Sequence, residues 1–479
     1  MRKSLAWVMA MILIVASTPA LLLAHGRLKS STPAAGAHLG QAPTQLRLDF
    51  SESPDLTFTS LRLLLASGRE IALGPVGYAA DSHRAIISAV TGAMDAGTYV
   101  VIWQMASDDG HPVRGRIEFV VAPGAMGTTA APGEMAGMHH DPVSMPESGD
   151  FGADSPLYVA VRWAEFAALL LLIGAVSFHY FVLGTLRHVA SVPRTDGMPG
   201  FLADSDAGAA SIGYVAVGLL AVTLLVRLAA QSVAMHGMSG ALDGAMVSAM
   251  VRSTMWGWGW LLQLAGVGLA GAAFHRIRAR AVLASSQPLS SDRARWWLLA
   301  ACGALAAAYS PALASHAAAS PKLRALAIVA DGLHIIGASS WLGTLTVMLV
   351  AGVTAARRQA PEASGPLVRS LVNAFSPVAL VSAGVAATTG VFAAWLHVGT
   401  IPNLWGTRYG LTLLLKLAIL GVVTLTGFYN WRFVQPRLGT AEATTKLQRS
   451  ARVEVAVAIL VLLVTAVLVA SPTSMDAVM

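Results

Sequence analysis

The chain has 479 residues, 55% of them hydrophobic and 12% charged, with a formal net charge of +7 and a mean hydropathy of +0.63. That balance excludes an ordinary soluble domain and points to a polytopic membrane protein. A single cysteine, Cys302, excludes an intrachain disulfide and a thiolate cluster, so any metal must be held by His, Met, Asp or backbone groups. The excess of positive charge implies no nucleic acid, because most Lys and Arg fall in short loops between apolar runs.

Residues 1–24 read as a signal peptide: Arg2 and Lys3 form a basic start, the run from Leu5 to Leu23 is mostly apolar, and Ala24 is a small residue before the cut. Cleavage there makes His25 the first residue of the mature chain. Its α-amine and imidazole can chelate one metal together, and a second histidine can complete a square-planar Cu(II) site. The segment SDDGHP offers Asp109 and His111 for this.

Residues 25–122 alternate with period two, as in Leu46, Leu48 and Phe50 and again in Ile117, Phe119 and Val121. Turn signals separate the runs, so the pattern predicts a small antiparallel β-sandwich or barrel. Asp109 and His111 precede its last strand and His25 opens its first, and a sandwich can bring those places together at one end. His38 and His83 are expected on the surface. Residues 123–150 form a Gly-, Pro-, Ala- and Ser-rich linker expected to be flexible. It carries Met126, Met135, Met138, His139, His140 and Met145. Thioethers are soft ligands for Cu(I), so Met135, Met138, His139 and His140 are candidate ligands there, against the plainer reading of an incidental tether.

From Leu157 onward, eight apolar spans are expected, at about 157–186, 209–232, 255–274, 296–315, 324–351, 371–396, 409–431 and 453–471. With the N-terminal domain exported, the inner loops hold fifteen Lys and Arg and the outer loops four. This bias places both the N-terminal domain and the C-terminus outside.

Ionisable residues inside spans are costly and point to function. Asp331, His334 and Trp341 are spaced to share one face of the fifth span. His334 is expected about 15 Å below its outer end, with His316 at the mouth. Met235, His236 and Met238 close the second span on the same side. His397, beside Trp395, reads as an interfacial anchor. Lys416 and Glu454 can snorkel, pair within the bundle or line a path. Arg162 and Glu165 are spaced to pair, and Arg227 is expected to reach the interface.

Two stretches carry a resemblance. HGRLKSSTPAAGAHLGQAPTQLRLDFSE and TYVVIWQMASDDGHPVRGRIEFVV are similar to the two ends of CopC copper-binding domains. The resemblance implies a Greek-key, cupredoxin-like sandwich and a Cu(II) site made by His25, Asp109 and His111. Some members bind Cu(I) through a Met-rich segment, and the corresponding SPDLTFTSLRLLLASG has no Met. SHAAASPKLRALAIVADGLHIIGASSWLGTL, FSPVALVSAGVAATTGVFAAW, TRYGLTLLLKLAIL and FYNWR resemble CopD membrane proteins. Together these imply copper capture outside a bacterial inner membrane and copper import through the bundle, with His316, His334, Asp331, Met235, His236 and Met238 as candidate path residues. Copper, the lipid bilayer and periplasmic copper chaperones are the expected partners.

Soft sites favour Cu(I), so a reductant is implied that the chain does not supply. No ATP-binding loop, phosphorylated-Asp motif or soluble catalytic domain is seen, and no enzyme activity is expected. A membrane-anchored copper sponge is the competing reading. A haem-holding redox protein ranks last, because His316 and His334 fall at different depths.

Overall fold

The computed structural model describes residues 28–51, 53–106, 112–122, 155–188, 197–283, 291–313, 323–435 and 441–471. They divide into two compact units. One holds the N-terminal domain together with Gln231–Gly257, and the other holds the remaining helices.

In the N-terminal domain, alternation becomes a two-sheet sandwich. The strands are β1 (Leu28–Thr32), β2 (His38–Leu39), β3 (Gln45–Phe50), β4 (Ser60–Leu65), β5 (Glu70–Ile71), β6 (Gly77–Ala79), β7 (Ser82–Ala89), β8 (Gly97–Ala106) and β9 (Pro112–Val121). One sheet runs β1-β3-β7-β6 and the other β2-β9-β8-β4-β5. The predicted inward residues Leu46, Leu48, Phe50, Ile117, Phe119 and Val121 are all buried, and they pack with Tyr99, Val101, Trp103 and Met105 of β8. The ladders are antiparallel with one exception to the expectation: the two-residue β2 pairs parallel with β9. Trp103 fixes one glycine. It pairs with Gly115 across β8 and β9, and a Cβ on Gly115 would lie 2.3 Å from the indole. The bare glycine lets the ring lie over the strand and reach Phe50, edge to face at 5.2 Å. His38 and His83 are exposed, as expected.

Eight helices are long and apolar enough to cross a membrane, at Pro156–His188, Met198–Met238, Met255–Ala279, Asp292–Leu313, Arg324–Arg357, Pro361–Val398, Arg408–Phe433 and Arg449–Ala470. They are the first to eighth spans below. Their outward faces carry exposed residues such as Leu380, Val381 and Leu425, which suit a lipid solvent.

The first and fifth spans meet backbone to backbone. A Cβ on Gly174 would lie 2.3 Å from the Gly343 carbonyl carbon, and one on Gly343 would lie 2.0 Å from Leu170 O. The small residues permit this approach, and Ser177 and Ser340 share a hydrogen bond of 3.0 Å beside it. Both spans leave regular α-helix here, with π-helical turns at Phe178–Leu183, Ser339–Gly343 and Met348–Gly352. Asp331 and His334 lie in regular α-helix, and Trp341 lies within the turn at Ser339–Gly343.

Candidate functional site

The Cu(II) candidates His25, Asp109 and His111, the linker candidates Met135, Met138, His139 and His140, and the mouth candidate His316 lie outside the described residues. What is described is their setting. The strands β8 and β9 pair down to Ala106 opposite Pro112, so the residues between them connect two adjacent strands at one end of the sandwich.

Two residues in from that end, Arg114 donates to Gln104 Oε1 at 2.8 Å. Both side chains also hold the end of the helix at Met235. Gln104 Nε2 donates to Met235 O at 3.0 Å, and Arg114 donates to Ala234 O at 2.8 Å. These carbonyls need partners because Gly237, with φ 71°, breaks the helix and leaves the last turn without its usual N–H donors. Gln231–Gly257 is thereby tied to the sandwich within one unit. Met235 is buried and its carbonyl does the binding, whereas Met238 is 73% exposed.

The imidazole of His236 tilts against Phe58, with ring centroids 5.9 Å apart. Its Nδ1 lies 3.2 Å from Ser232 Oγ, and that hydroxyl donates its own proton to Ala241 O at 2.8 Å. Ser232 therefore accepts, His236 carries its proton on Nδ1, and Nε2 is an unprotonated lone pair.

In the bundle, His334 shows the same arrangement. Its Nδ1 lies 2.9 Å from Ala386 O and 3.2 Å from Thr389 Oγ1 on the sixth span. A carbonyl can only accept, so Nδ1 is the protonated nitrogen, and a bond of this kind is the one that orients a metal-binding histidine. Gly390 makes room for it, since a Cβ there would lie 3.0 Å from His334 Cε1. Lys416, on the seventh span, is half-buried. Glu454 is also buried and accepts from Asn430 at 2.5 Å.

Arg162 and Glu165 pair as their spacing predicts, at 3.4 Å. Arg227 corrects the expectation. It is 4% exposed rather than interfacial, and it donates to Glu165 and, at 3.1 Å, to Gln263 Oε1. Gln263 also donates to Glu165 at 2.9 Å. One carboxylate thus holds two guanidinium groups and an amide from three spans. A buried ion demands this degree of satisfaction.

A second buried cluster was not read from the sequence. His179 Nδ1 lies 2.5 Å from Asp206 Oδ1, and the ring stacks on Trp297 at 3.9 Å. Asp206 also pairs with Arg187 at 3.2 Å and Arg293 at 2.6 Å. Arg187 and Arg293 had been counted as loop charges. The signal available was Asp206 itself, an acid close to an apolar run. Among the described residues, no group of three or more His, Cys, Asp or Glu side chains is placed to hold a metal. A metal in the described part must therefore rest on single imidazoles completed by other atoms, thioethers included.

Comparison with known proteins gives three matches in chain order: the family described as CopC domain over residues 28–122, Copper resistance protein D-like, N-terminal domain over 152–324, and Copper resistance protein D over 369–468. The copper transport protein CutJ of Bacillus subtilis is 23% identical over 470 residues, covering 98% of this chain and 78% of that one. Copper resistance protein C of Pseudomonas syringae pv. tomato is 33% identical over 107 residues, covering 21% of this chain and 84% of that one. The crystal structure of PcoC from Escherichia coli aligns at 30% identity over 20% of this chain and 98% of its own, with a TM-score of 0.19.

Proposed function

Because the chain belongs to the family of CopC domains joined to CopD membrane domains, we propose that it captures copper outside the bacterial inner membrane and imports it through the helical bundle. The observation that carries the reading is the end-to-end match to a protein named for copper transport, across both the sandwich and the spans. In this reading His25, Asp109 and His111 hold Cu(II), with the α-amine and two imidazoles as borderline nitrogen donors. The N-terminal domain and the C-terminus lie in the periplasm. His316 is the mouth, and Asp331 and His334 lie deeper on the path. Periplasmic copper chaperones are the natural donors of the ion, and the linker ligands Met135, Met138, His139 and His140 pass it on.

His334 supports transport over simple anchoring. An anchor needs no imidazole held within the bundle by a neighbouring span. Thioether and single-imidazole sites favour Cu(I), so an external one-electron donor, a quinol or a thiol, accompanies the reading.

The test is cytosolic copper at limiting external copper in cells with the chain, without it, and with a His25→Ala, His111→Ala double variant. Import predicts a fall in the deletion and a partial fall in the variant. Unchanged or raised cytosolic copper in the deletion overturns import and leaves sequestration as the function.

A further inference from the structure

The last turn of the second span holds a histidine whose chemistry is incomplete. His236 Nε2 is shielded from solvent and has no hydrogen-bond partner among the described residues. The Ser232 relay described above has already placed the ring proton on Nδ1, so this orphan is a lone pair rather than an N–H. A buried acceptor left unsatisfied is costly, and a ligand that engages it recovers that cost.

The neighbouring side chain is soft. Gly240 is the point where two groups meet: a Cβ there would lie 3.1 Å from His236 Cβ and 3.2 Å from Met246 Sδ. The His236 Cβ and the Met246 sulfur therefore flank the same glycine, one from a helix end and the other from the short helix Gly244–Ser253. The backbone is fixed on both sides of the site. Gln104 and Arg114 hold the carbonyls of 235 and 234, and Asp243 caps Gly244–Ser253 through Ala245 N at 2.8 Å and Met246 N at 3.2 Å. The cap thus fixes the residue that carries the sulfur.

We propose that Gln231–Gly257 carries a binding site for a soft monovalent metal ion, Cu(I) or Ag(I), with His236 Nε2 and Met246 Sδ as its ligands and Ser232 as the residue that orients the imidazole. A neutral imidazole and a thioether suit a monovalent soft ion and discriminate against hard divalent ions, which seek carboxylate oxygen. The inference rests on copper as the cargo and specifies where the reduced ion is received.

The purified full chain in detergent is titrated anaerobically with Cu(I) against a colorimetric chelator, alongside His236→Gln, Met246→Leu and Ser232→Ala. His236→Gln and Met246→Leu are expected each to remove one Cu(I) equivalent. Ser232→Ala is expected to keep the equivalent but weaken it by about 10–100-fold, the usual effect of removing an orienting partner. X-ray absorption of the wild-type complex should show nitrogen together with sulfur, and Met246→Leu should remove one sulfur. Met246→Leu preserves volume and helix propensity, and an unchanged thermal transition shows that it folds. Full stoichiometry and affinity in folded Met246→Leu and His236→Gln would overturn the site. The importer reading is tested separately by cytosolic copper in the deletion, so loss of one leaves the other standing.

Discussion

Replacing Gly174 by Ala tests whether the backbone contact between the first and fifth spans organises the bundle. The added methyl would lie 2.3 Å from the Gly343 carbonyl carbon and 2.7 Å from its Cα, where ordinary contacts begin at 3.4 Å. Neither obstacle is a flexible side-chain end, so the spans must part by about 1 Å, a forced repacking that costs about 1–3 kcal/mol. The parting also stretches the 3.0 Å bond between Ser177 and Ser340, which adds about 1 kcal/mol. A total of about 2–4 kcal/mol corresponds to a fall in Tm of roughly 5–15 °C in a domain of 150–250 residues. The assay is thermal unfolding of the full chain in detergent, followed by tryptophan fluorescence. Gly218→Ala is the control, because a Cβ there meets nothing within 4 Å, and the gain in helix propensity makes it neutral or stabilising. Equal transitions for Gly174→Ala and Gly218→Ala would refute the reasoning.

Glu165→Gln leaves the guanidinium groups of Arg162 and Arg227 buried without their carboxylate. A loss of about 3–5 kcal/mol is expected, visible as a lower Tm and reduced accumulation in membranes. His334→Gln should abolish copper accumulation by vesicles while leaving Tm within a few degrees, and Gly390→Ala, which crowds the same ring, should slow accumulation without abolishing it. Extending the mature N-terminus by one residue ahead of His25 should remove the Cu(II) electron paramagnetic resonance signal attributed to that site, and a retained signal would place the copper elsewhere. On the sandwich, the two-pronged bond from Arg62 holds the Glu70 carboxyl below the usual carboxylate range. Its contribution is present at neutral pH and is lost as pH falls through that lowered value. In Arg62→Gln an NMR titration of Glu70 should return to the ordinary range.

The sandwich was legible because Leu46, Leu48 and Phe50 alternate with polar residues, and burial on one face imposes that period. The eight spans were legible because lipid demands long apolar runs. His334 stood out as an ionisable residue in such a run. The parts that stayed hidden depend on distant partners. Met246 and His236 flank Gly240 from opposite sides of the break at Gly237, and no local period encodes that placement. Arg227 looked like a residue near a span end until Glu165, 62 positions earlier, claimed it. Asp206 and Arg293 lie on different spans, so neither signals the other in sequence. The π-helical turn at Ser339–Gly343, which holds Trp341, leaves no mark in the apolar period.

The cluster around Asp206 has a consequence for how the bundle holds together. Its carboxylate, on the second span, pairs with Arg187 of the first and Arg293 of the fourth, so three helices are fastened through one buried ion. Shifting any of the three pulls buried opposite charges apart, which is costly away from water. The cluster works as a rivet between spans that no run of apolar side chains would hold in register.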